Sequence, residues 1–428
     1  MKKILILYPH FPPSNLAGVH RPRLFAQHLS KFGWEPVILT VDEKYYEDKP
    51  DWNLVKLLPK NLRLEKVKAF KNTTPRLVGD IGLRAFFQLY TRAKQLIKRE
   101  GFDFLYIPIP SFYCALLGRW LQSSTGIKYG IDYIDPWVHQ FPGTDKIFSR
   151  HWLSTRLAKF LEPIAVKKAS LITGVAEGYY KAVLERNPHL QTQAVFGAMP
   201  YGGEAGDHAI VAQLKMEPYL FAQQPGKLNF VYAGAMLPKA YKPLEAIFQS
   251  IAANKVLYAN TAFHFIGTGS RVDDAESFNI KPLAEKYGLW QTIVYEYPKR
   301  IPYLDVLVHL DIATAIFILG STEPHYTPSK TYQAVLSTKP LIAVLHTEST
   351  AVNVIRDSQA GVVLDFNGED GIETIKNEFS TFFKEAKVFV ESFTPKQVNQ
   401  EVFEQYSAKN VTKQLATMLE IAIAHHGK

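Results

Sequence analysis

The chain has 428 residues, 47% of them hydrophobic and 21% charged, which predicts two or three globular domains and excludes a disordered chain. Its single cysteine, Cys114, excludes a disulfide framework and a zinc site of thiolate ligands, and it favours a reducing, cytoplasmic setting. The net charge of +9 comes from the first half, where residues 1–190 hold 29 Lys and Arg against 16 Asp and Glu, so an anionic partner is expected there.

Strand-like and helix-like segments alternate through the first half of the chain. Residues 3–8 are predicted to be a buried strand, because the apolar run that follows Lys2 and Lys3 ends at Pro9, too early for a signal peptide or a membrane span. Further strands are expected at residues 35–41, 104–109, 129–133 and 170–175, and helices at residues 21–32, 82–99, 111–122 and 151–168. This alternation predicts a parallel sheet covered by helices on both faces.

A glycine-rich stretch at residues 201–206 interrupts the pattern, and a domain junction is expected between residues 196 and 226. The alternation then restarts, with strands expected at residues 228–233, 261–266, 292–295, 312–317 and 340–345, and helices at residues 244–253, 280–287, 303–310 and 329–336. The two arrays predict two Rossmann-like domains, residues 1–200 and 201–395, whose parallel sheets face an interdomain cleft. Residues 396–428 are predicted to supply a C-terminal helix that packs back on the N-terminal domain.

The loop after the first strand, residues 8–21, is rich in proline and ends in a small Ala17-Gly18 pair before a helix that carries Arg21. Gly18 would let the backbone approach a ligand closely, and the N-terminus of the following helix attracts anions. The alternative is a simple turn at Gly18, with Arg21 and Arg23 as surface charges.

The segment Asp-Tyr-Ile-Asp-Pro-Trp, residues 132–137, follows another predicted strand. Asp135, just beyond the strand end, can orient or deprotonate an acceptor hydroxyl. The alternative is a turn, since Asp before Pro is common in turns. His139 follows on the same loop, where a lone histidine more often has no function.

Two glycine turns and three cations follow strands of the second array. Gly234 ends a strand and precedes Lys239 and Lys242, and backbone amides with a lysine can cradle a diphosphate. Gly267 lies in a Gly-Thr-Gly turn after the next strand, and Arg300 follows the strand after that. The alternative is a set of ordinary strand-to-helix turns with solvated lysines.

Residues 323–343 carry the strongest functional pattern. Pro328 and Ser329 suit the start of a helix, with Ser329 as its cap or in its first turn. Exposed amides at that helix start, together with Lys330, can bind a diphosphate, and Gln333 can bond to ribose hydroxyls. The alternative is an ordinary capped helix between two core strands.

These segments resemble motifs of glycosyltransferase family 4. The first loop is similar to its PPxxGGxxR opening, residues 132–137 to DxxDPW, residues 231–242 to Y-x-G…K-G, and residues 328–343 to P-S-K-x-Y-E-Y-x-x-x-G-K-P-x-I-A. The chain departs from the family at several positions. Ala17 and Thr338 replace glycines, no arginine adjoins Gly234, and His325 and Gln333 occupy the slots of two glutamates that the family usually carries.

The resemblance implies a GT-B fold and retaining transfer of a sugar from a nucleoside-diphosphate sugar to a glycan or lipid-linked acceptor, in cell-surface polysaccharide or glycoconjugate biosynthesis. The implied catalytic residues are Asp135, Lys330 and Lys239. The implied donor contacts are Gly234, Lys239, Lys242, Gly267, Arg300, Pro328, Ser329, Lys330 and Gln333. The implied acceptor contacts are His10, Gly18, Arg21, Asp135 and Trp137.

No cofactor and no metal ion is expected. Acidic clusters of the kind that hold a metal are missing, since Asp273-Asp274 is an isolated pair in a polar stretch. The resemblance also implies that lysines and helix dipoles stabilise the departing diphosphate.

The basic N-terminal domain also suits an anionic membrane surface, which would make the protein cytoplasmic and peripheral at the inner face of the cell membrane. Residues 84–99 are cationic, with Phe86, Phe87 and Tyr90 interleaved. The alternative is a helix that packs on the sheet with a basic outer face.

Three rival functions remain open at this point. The same architecture serves nucleotide-sugar epimerases, which need no acceptor. A catalytically weak sugar-nucleotide-binding protein would fit the missing glutamates. A nucleic-acid-binding protein would fit the positive first half, although no nucleic-acid module is recognisable and no nucleic acid is expected as a partner.

Overall fold

The computed structural model describes residues 1–72, 78–138, 146–324 and 326–424. The chain divides into two units, the first formed by Met1–Tyr201 with Ala408–Lys428 and the second by Gly202–Ser407. The sequence placed the first boundary at residue 200 and the start of the returning segment at residue 396.

In the described part of the first unit, seven parallel strands form one sheet in the order β3-β2-β1-β4-β5-β6-β7. The strands are β1 Lys2–Leu7, β2 Trp34–Val41, β3 Arg63–Val67, β4 Phe104–Ile109, β5 Tyr129–Tyr133, β6 Leu171–Gly174 and β7 Val195–Ala198. The central strands β4 and β5 are buried throughout, as expected for a parallel sheet covered on both faces.

Helices cover both faces of this sheet. They are α1 His20–His28, α2 Ile81–Arg84, α3 Phe86–Glu100, α4 Ala115–Thr125, α5 Arg150–Val166, α6 Glu177–Arg186 and α7 Leu190–Gln193. The helix α3 buries Leu89, Ala93 and Leu96 at a spacing of three to four residues, which explains its amphipathic sequence.

The described residues of the second unit form a six-stranded parallel sheet in the order β10-β9-β8-β11-β12-β13. The strands are β8 Leu228–Ala233, β9 Thr261–Ile266, β10 Val294–Tyr297, β11 Ala315–Leu319, β12 Leu341–His346 and β13 Gly361–Phe366. Both sheets therefore have the strand order of a Rossmann domain, which reverses between β1 and β4 and again between β8 and β11. Ligands of open α/β sheets bind beyond the carboxyl ends of the strands at such reversals.

The helices of the second unit surround its sheet. They are α8 Ala205–Gln213, α9 Tyr241–Ala253, α10 Lys281–Lys286, α11 Tyr303–Asp311, α12 Lys330–Leu336, α13 Thr350–Asp357, α14 Ile372–Ser392 and α15 Gln400–Glu404. The helix α8 lies inside the stretch that the sequence predicted to be an irregular junction.

The last described helix, α16 Ala408–Ala424, belongs to the first unit. Its buried Leu415 and Leu419 share a core cluster with Phe25 and Leu29 of the first unit, so the predicted return of a C-terminal helix is confirmed. The Lys128 ammonium donates to the carbonyls of Ala422 and Ile423, at 3.2 and 2.5 Å, and so holds the end of α16.

Candidate functional site

Lys330 lies where the strand order of the second sheet reverses. It is the first residue of α12, which follows β11, and its Nζ lies 3.4 Å from the centroid of the Tyr232 ring on the neighbouring strand β8. The Nζ atom is buried, although the residue as a whole is partly exposed, and it makes no hydrogen bond within the described chain. Burial lowers the pKa of Lys330 to about 7.

The surroundings of this ammonium leave it undercompensated. A cation over an aromatic face gains about 2 kcal/mol or more when it is desolvated, which offsets only part of the cost of burying an ammonium without an acceptor. A phosphate or diphosphate oxygen that reached Nζ would supply the missing acceptor and would hold the lysine in its charged form. The arrangement is therefore suited to binding an anion.

Gly234, directly after β8, has a backbone that only glycine adopts easily. Its φ is +126°, and a Cβ at this position would lie 3.3 Å from Lys330 Nζ. Its N–H donates to the Ile266 carbonyl at 2.8 Å. The glycine thus allows the turn and leaves room for the lysine tip, so the structure brings two of the predicted donor residues together.

Lys239 and Lys242 reach the same edge of the sheet but carry partners of their own. Lys239 Nζ lies 3.3 Å from Glu323, which follows β11, and Lys242 Nζ lies 2.6 Å from Glu369, which follows β13. Thr322 connects the two pairs, because its N–H donates to the Lys239 carbonyl and its hydroxyl to Glu369 at 2.9 Å. Both lysines are exposed, so they would need to exchange these carboxylates for a ligand.

The start of α12 differs from the prediction at the cap. Ser329 occupies the cap position, but its side chain makes no capping hydrogen bond. The buried Pro328 accepts a hydrogen bond from the Thr331 N–H at 3.0 Å through its carbonyl oxygen, which closes the first turn.

Gln333 points towards α8. Its Oε1 lies 3.1 Å from His208 Nε2, and its Nε2 lies 3.5 Å from a carboxylate oxygen of the buried Asp207. Tyr303 also donates to that carboxylate, at 2.8 Å. In this arrangement the side chain of Gln333 joins two helices, and its contact with a ribose stays a prediction. The other departure from the family's pattern, His325, lies outside the described residues.

The Gly-Thr-Gly turn after β9 packs tightly against the loop after β10. The hydroxyl of Thr268 donates to the buried Glu296 at 2.7 Å, and a Cβ on Gly269 would lie 2.7 Å from the Pro298 carbonyl oxygen. A Cβ on Gly267 would lie 3.7 Å from the Cα of Arg300. The turn therefore places Gly267 beside Arg300, and chain packing alone explains its second glycine.

Arg21 was predicted to contact an acceptor, and the structure corrects that prediction. The side chain is 0% exposed and binds Asp132 through two bonds, from Nε at 2.8 Å and from Nη2 at 3.0 Å. Its remaining terminal nitrogen donates to the Pro200 carbonyl, and Thr173 donates to Asp132 at 2.8 Å. The alternative from the sequence, that Arg21 and Arg23 are surface charges, is also wrong, because both side chains are buried.

Trp137, another predicted acceptor contact, belongs to the core of the first unit. It is 7% exposed and stacks on Phe112, with ring centroids 6.0 Å apart and the planes 6° from parallel. The prediction is corrected to a packing role, because a ring enclosed in this way has little surface left for an acceptor.

Asp135 lies on the surface near two phenols, the buried Tyr8 and the half-buried Tyr201. Burial, followed by the charge of Asp135, raises the pKa of Tyr8 and of Tyr201. The hydroxyl of Tyr8 occupies the space next to Gly18, where a Cβ would lie 2.1 Å from it. Gly18 is thus required by the Tyr8 hydroxyl, and the first unit exposes the Asp135 carboxylate after the end of β5.

His10 follows β1 in a polar surrounding. Its ring lies 5.1 Å from that of Tyr46. Burial lowers the pKa of His10, while the charges of Asp48 and Asp80 oppose that effect. Asp80 caps α2 through Leu83 N–H at 2.8 Å and accepts from Ser111 at 3.1 Å. His10 thus lies just after β1 of the unit that is predicted to bind the acceptor. It makes no direct contact with Asp135 in the described structure.

Sequence reasoning missed Tyr232, Glu323, Glu369, Asp207 and His208. Each acts through a contact between segments that lie far apart in the chain. No motif predicts such a contact, although Tyr232 itself is the tyrosine of the Y-x-G segment. The two glutamates had one usable signal, since each follows a strand end and loops at strand ends form the ligand edge of the sheet.

The described residues hold neither a candidate metal cluster nor a candidate membrane span. No group of three or more His, Cys, Asp or Glu side chains is placed to hold a metal ion there. No helix in the same residues is long and apolar enough to cross a membrane.

Comparison with known proteins gave structural matches only. No family model matches the chain, and no curated protein matches its sequence. Sucrose-phosphate synthase from Thermosynechococcus elongatus matches with a TM-score of 0.65 and 14% identity, covering 99% of this chain and 100% of that one. HepE from Anabaena in complex with UDP and glucose matches with a TM-score of 0.63 and 14% identity, covering 98% and 100%.

A structure described as trehalose-6-phosphate from E. coli, bound with UDP-2-fluoro glucose, matches with a TM-score of 0.61 and 11% identity, covering 98% of this chain and 99% of that one. At identities this low, a structural likeness establishes the fold and no more. The chain has the fold of the GT-B proteins, with two Rossmann-like parallel-sheet domains, as its sequence predicts.

Proposed function

We propose that this protein is a glycosyltransferase that moves a sugar from a nucleoside-diphosphate sugar to an acceptor hydroxyl. The observation that carries the proposal is the buried Lys330 ammonium, which has no acceptor among the described residues and lies at the strand-order reversal of the second sheet. The proposal is supported by the ligands of two structures of the same fold, UDP with glucose in HepE and UDP-2-fluoro glucose in the E. coli structure.

Sugar transfer requires the second unit to stabilise the departing diphosphate. The bond between the sugar C1 and the diphosphate oxygen breaks, and its electron pair remains on the diphosphate, whose growing charge needs stabilisation. The charged form of Lys330 supplies it from a buried position, where an electrostatic interaction is stronger than in water. Lys239, Lys242 and the amides at Ser329 would support the same group, while Gly234 lets it approach the backbone.

The acceptor is proposed to bind to the first unit. Its oxygen forms the new bond to C1 and passes its proton to the exposed Asp135 carboxylate, which is the proposed group that positions this hydroxyl. The phenols of Tyr8 and Tyr201 keep their protons beside this carboxylate, because burial and the charge of Asp135 raise the pKa of each. The proposed acceptor is a glycan or a lipid-linked molecule, and the configuration at C1 is proposed to be retained. The protein is further proposed to be related to glycosyltransferase family 4 and to act in cell-surface polysaccharide synthesis at the inner face of the membrane.

A thermal-shift screen against UDP, GDP, dTDP and their sugars tests the donor site. A ligand at 100 times its Kd stabilises a protein by about 2.7 kcal/mol, which shifts the Tm by several degrees. We expect one nucleotide to do this for the wild type and not for Lys330→Met. A Tm that no nucleotide shifts would contradict the proposal.

Lys281→Met is the matched control. Lys281 also begins a helix of the second unit and also lies over aromatic rings, with its Nζ 4.9 Å from Phe278 and 5.5 Å from Trp290, but its side chain is partly exposed. We expect this variant to keep the wild-type shift. Equal loss in both variants would remove Lys330 from the site.

A turnover assay separates transfer from the rival functions. Labelled donor is incubated with the protein and a pool of cellular acceptors, and both the acceptor fraction and the recovered donor are analysed. We expect label to move to acceptors. Epimerised donor without transfer would indicate an epimerase, and binding without any product would indicate a sugar-nucleotide-binding protein.

A further inference from the structure

Helix α5 of the first unit exposes an apolar stripe to solvent. Leu153, Leu157, Phe160 and Ile164 are 63%, 40%, 68% and 39% exposed. Their spacing of four, three and four residues places them on one face of the helix. Ile147 and Phe148, just before the helix, are exposed as well. Apolar side chains gathered on a surface in this way mark an interaction site more often than single exposed ones do.

The stripe is not the face by which α5 packs on the protein. Ala158, Ala165 and Val166 are buried on the other side. Glu162 is buried there too and binds the Arg186 guanidinium at 2.7 and 2.9 Å. The helix is therefore apolar on two faces, and the core of the first unit covers one of them. A helix of this kind gains stability when its second face is also removed from water.

Exposed cations border the stripe on both sides. Arg150, Arg156, Lys159 and Lys167 lie on or just after the helix and are exposed, whereas its single carboxylate, Glu162, is the buried one described above. The solvent side of α5 thus carries apolar and positively charged groups without a negative charge of its own. An apolar stripe bordered by Lys and Arg is the pattern of helices that lie in the interface of an anionic membrane.

We infer that α5 binds an anionic lipid bilayer, with Leu153, Leu157, Phe160 and Ile164 in the acyl boundary and the bordering cations at the headgroups. A symmetric pair of this helix in a dimer would bring cation against cation, which opposes that alternative. A bilayer with anionic lipids is complementary to both components of the surface. The inference deepens the membrane part of the proposed function and rests on it, while its evidence comes from α5 and does not depend on the proposed donor site.

The apolar surface on α5 differs from the membrane-facing surface that the sequence predicted. Residues 84–99 were expected to face the membrane through Phe86, Phe87 and Tyr90. In the structure Phe86 is buried in the core and packs edge-to-face on Trp120, with centroids 5.1 Å apart, while Phe87 alone of the three is largely exposed. A stripe of four exposed apolar side chains is found instead on α5.

Vesicle flotation with the full chain tests the inference. The vesicles are phosphatidylcholine alone, or phosphatidylcholine with roughly one third phosphatidylglycerol, at low and at high salt. We expect the wild type to float with the anionic vesicles at low salt, to bind them more weakly at high salt, and to stay with the soluble fraction in neutral vesicles.

Two double variants separate the two components of the surface. Leu157→Ser with Phe160→Ser removes the centre of the stripe and should weaken binding about tenfold or more. Arg156→Gln with Lys159→Gln should weaken it by about 30-fold, because each basic residue near an anionic bilayer strengthens binding about fivefold. Val388→Ser, at an exposed valine on α14 of the second unit, is the control and should bind as the wild type does.

Circular dichroism and the Tm of each variant verify folding, which should not change because the substituted side chains are exposed. Absence of wild-type binding to anionic vesicles overturns the inference, and so does unchanged binding of the Leu157→Ser, Phe160→Ser variant. A wild-type oligomer in light scattering that this variant converts to a monomer, without lipid binding in either, would instead assign the stripe to contact between copies of the chain.

Discussion

Arg21 and Lys330 are both buried cations that follow a strand at the reversal of their sheet, yet their surroundings differ. Arg21 meets the Asp132 carboxylate through two hydrogen bonds and a backbone carbonyl through a third. Lys330 meets the face of Tyr232 and makes no hydrogen bond in the described chain. A charge that the fold neutralises serves the fold, whereas a charge that the fold leaves undercompensated lowers stability and is retained where a ligand completes it.

The largest effect expected from this comparison follows Arg21→Met. The substitution leaves Asp132 charged and buried without its partner, which should lower the free energy of unfolding by about 3–5 kcal/mol. Urea unfolding followed by circular dichroism measures it. Arg99→Met, at an exposed position near the end of α3, should change the value by less than about 0.5 kcal/mol. A loss below about 1 kcal/mol for Arg21→Met would show that the pair is not structural.

Lys330→Met should change stability in the opposite direction. Methionine fills a similar volume and carries no charge to desolvate, so the unliganded protein should gain on the order of 2 kcal/mol. The same urea experiment measures this gain, with Lys281→Met as its control. A stability loss as large as that of Arg21→Met would mean that Lys330 stabilises the folded state, as Arg21 does, and that the two cations do not differ in this respect.

Gly234→Ala probes the room left for the lysine tip. The φ of +126° and the 3.3 Å distance from the new Cβ to Nζ should together cost about 1–2 kcal/mol of stability and displace the ammonium. Gly226→Ala is the control, because its φ is also positive, at +75°, while a Cβ there meets no atom within 4 Å. Nucleotide affinity should fall in the first variant and stay constant in the second. An equal fall in nucleotide affinity in both variants would mean that Gly234 matters only for the backbone conformation.

The smallest effect is a pH dependence of donor affinity. Lys330 has a pKa of about 7 in the unliganded protein, and a bound diphosphate would raise it by favouring the charged form. Binding above pH 7 therefore takes up a proton, so the affinity for a nucleoside-diphosphate sugar should be level below pH 7 and fall about tenfold from pH 6 to pH 8. Isothermal titration measures it, and Lys330→Met should bind weakly with no such slope. A wild-type affinity that does not change between pH 6 and pH 8 would contradict the burial of this charge.

Metal dependence remains a prediction as well. Activity should persist after treatment with a chelator, because the proposed stabilisation of the diphosphate comes from lysines and backbone amides. Loss of activity that a divalent cation restores would overturn it.

Much of the fold can be predicted from the sequence, because buried parallel strands appear in it as short apolar runs. The expected strands at residues 104–109, 129–133, 228–233 and 261–266 match β4, β5, β8 and β9 residue for residue. The strand β3 escaped prediction because it lies at the edge of the sheet, with Arg63 and Lys66 facing solvent. The edge strand β7 is only four residues long and half exposed, and so it gives a weak pattern as well.

The site was less accessible to sequence reasoning. The pattern around Pro328 and Lys330 placed a lysine at a helix start after a strand, and its proposed role in binding is still to be tested. The contact with Tyr232 depends on how two neighbouring strands end, which local periodicity does not encode. Arg21 was predicted to be a functional residue and Asp132 was noted only as the first residue of a motif, because a separation of 111 positions hides the ion pair until the strand order is known.

The helix α16 has a consequence for the order in which this protein can fold. The first unit takes core residues from Ala408–Ala424, which the ribosome makes only after the whole of the second unit, Gly202–Ser407. Until then Phe25 and Leu29 lack the covering that Leu415 and Leu419 provide. The N-terminal unit is therefore the one completed last, against the usual order in which domains mature during synthesis.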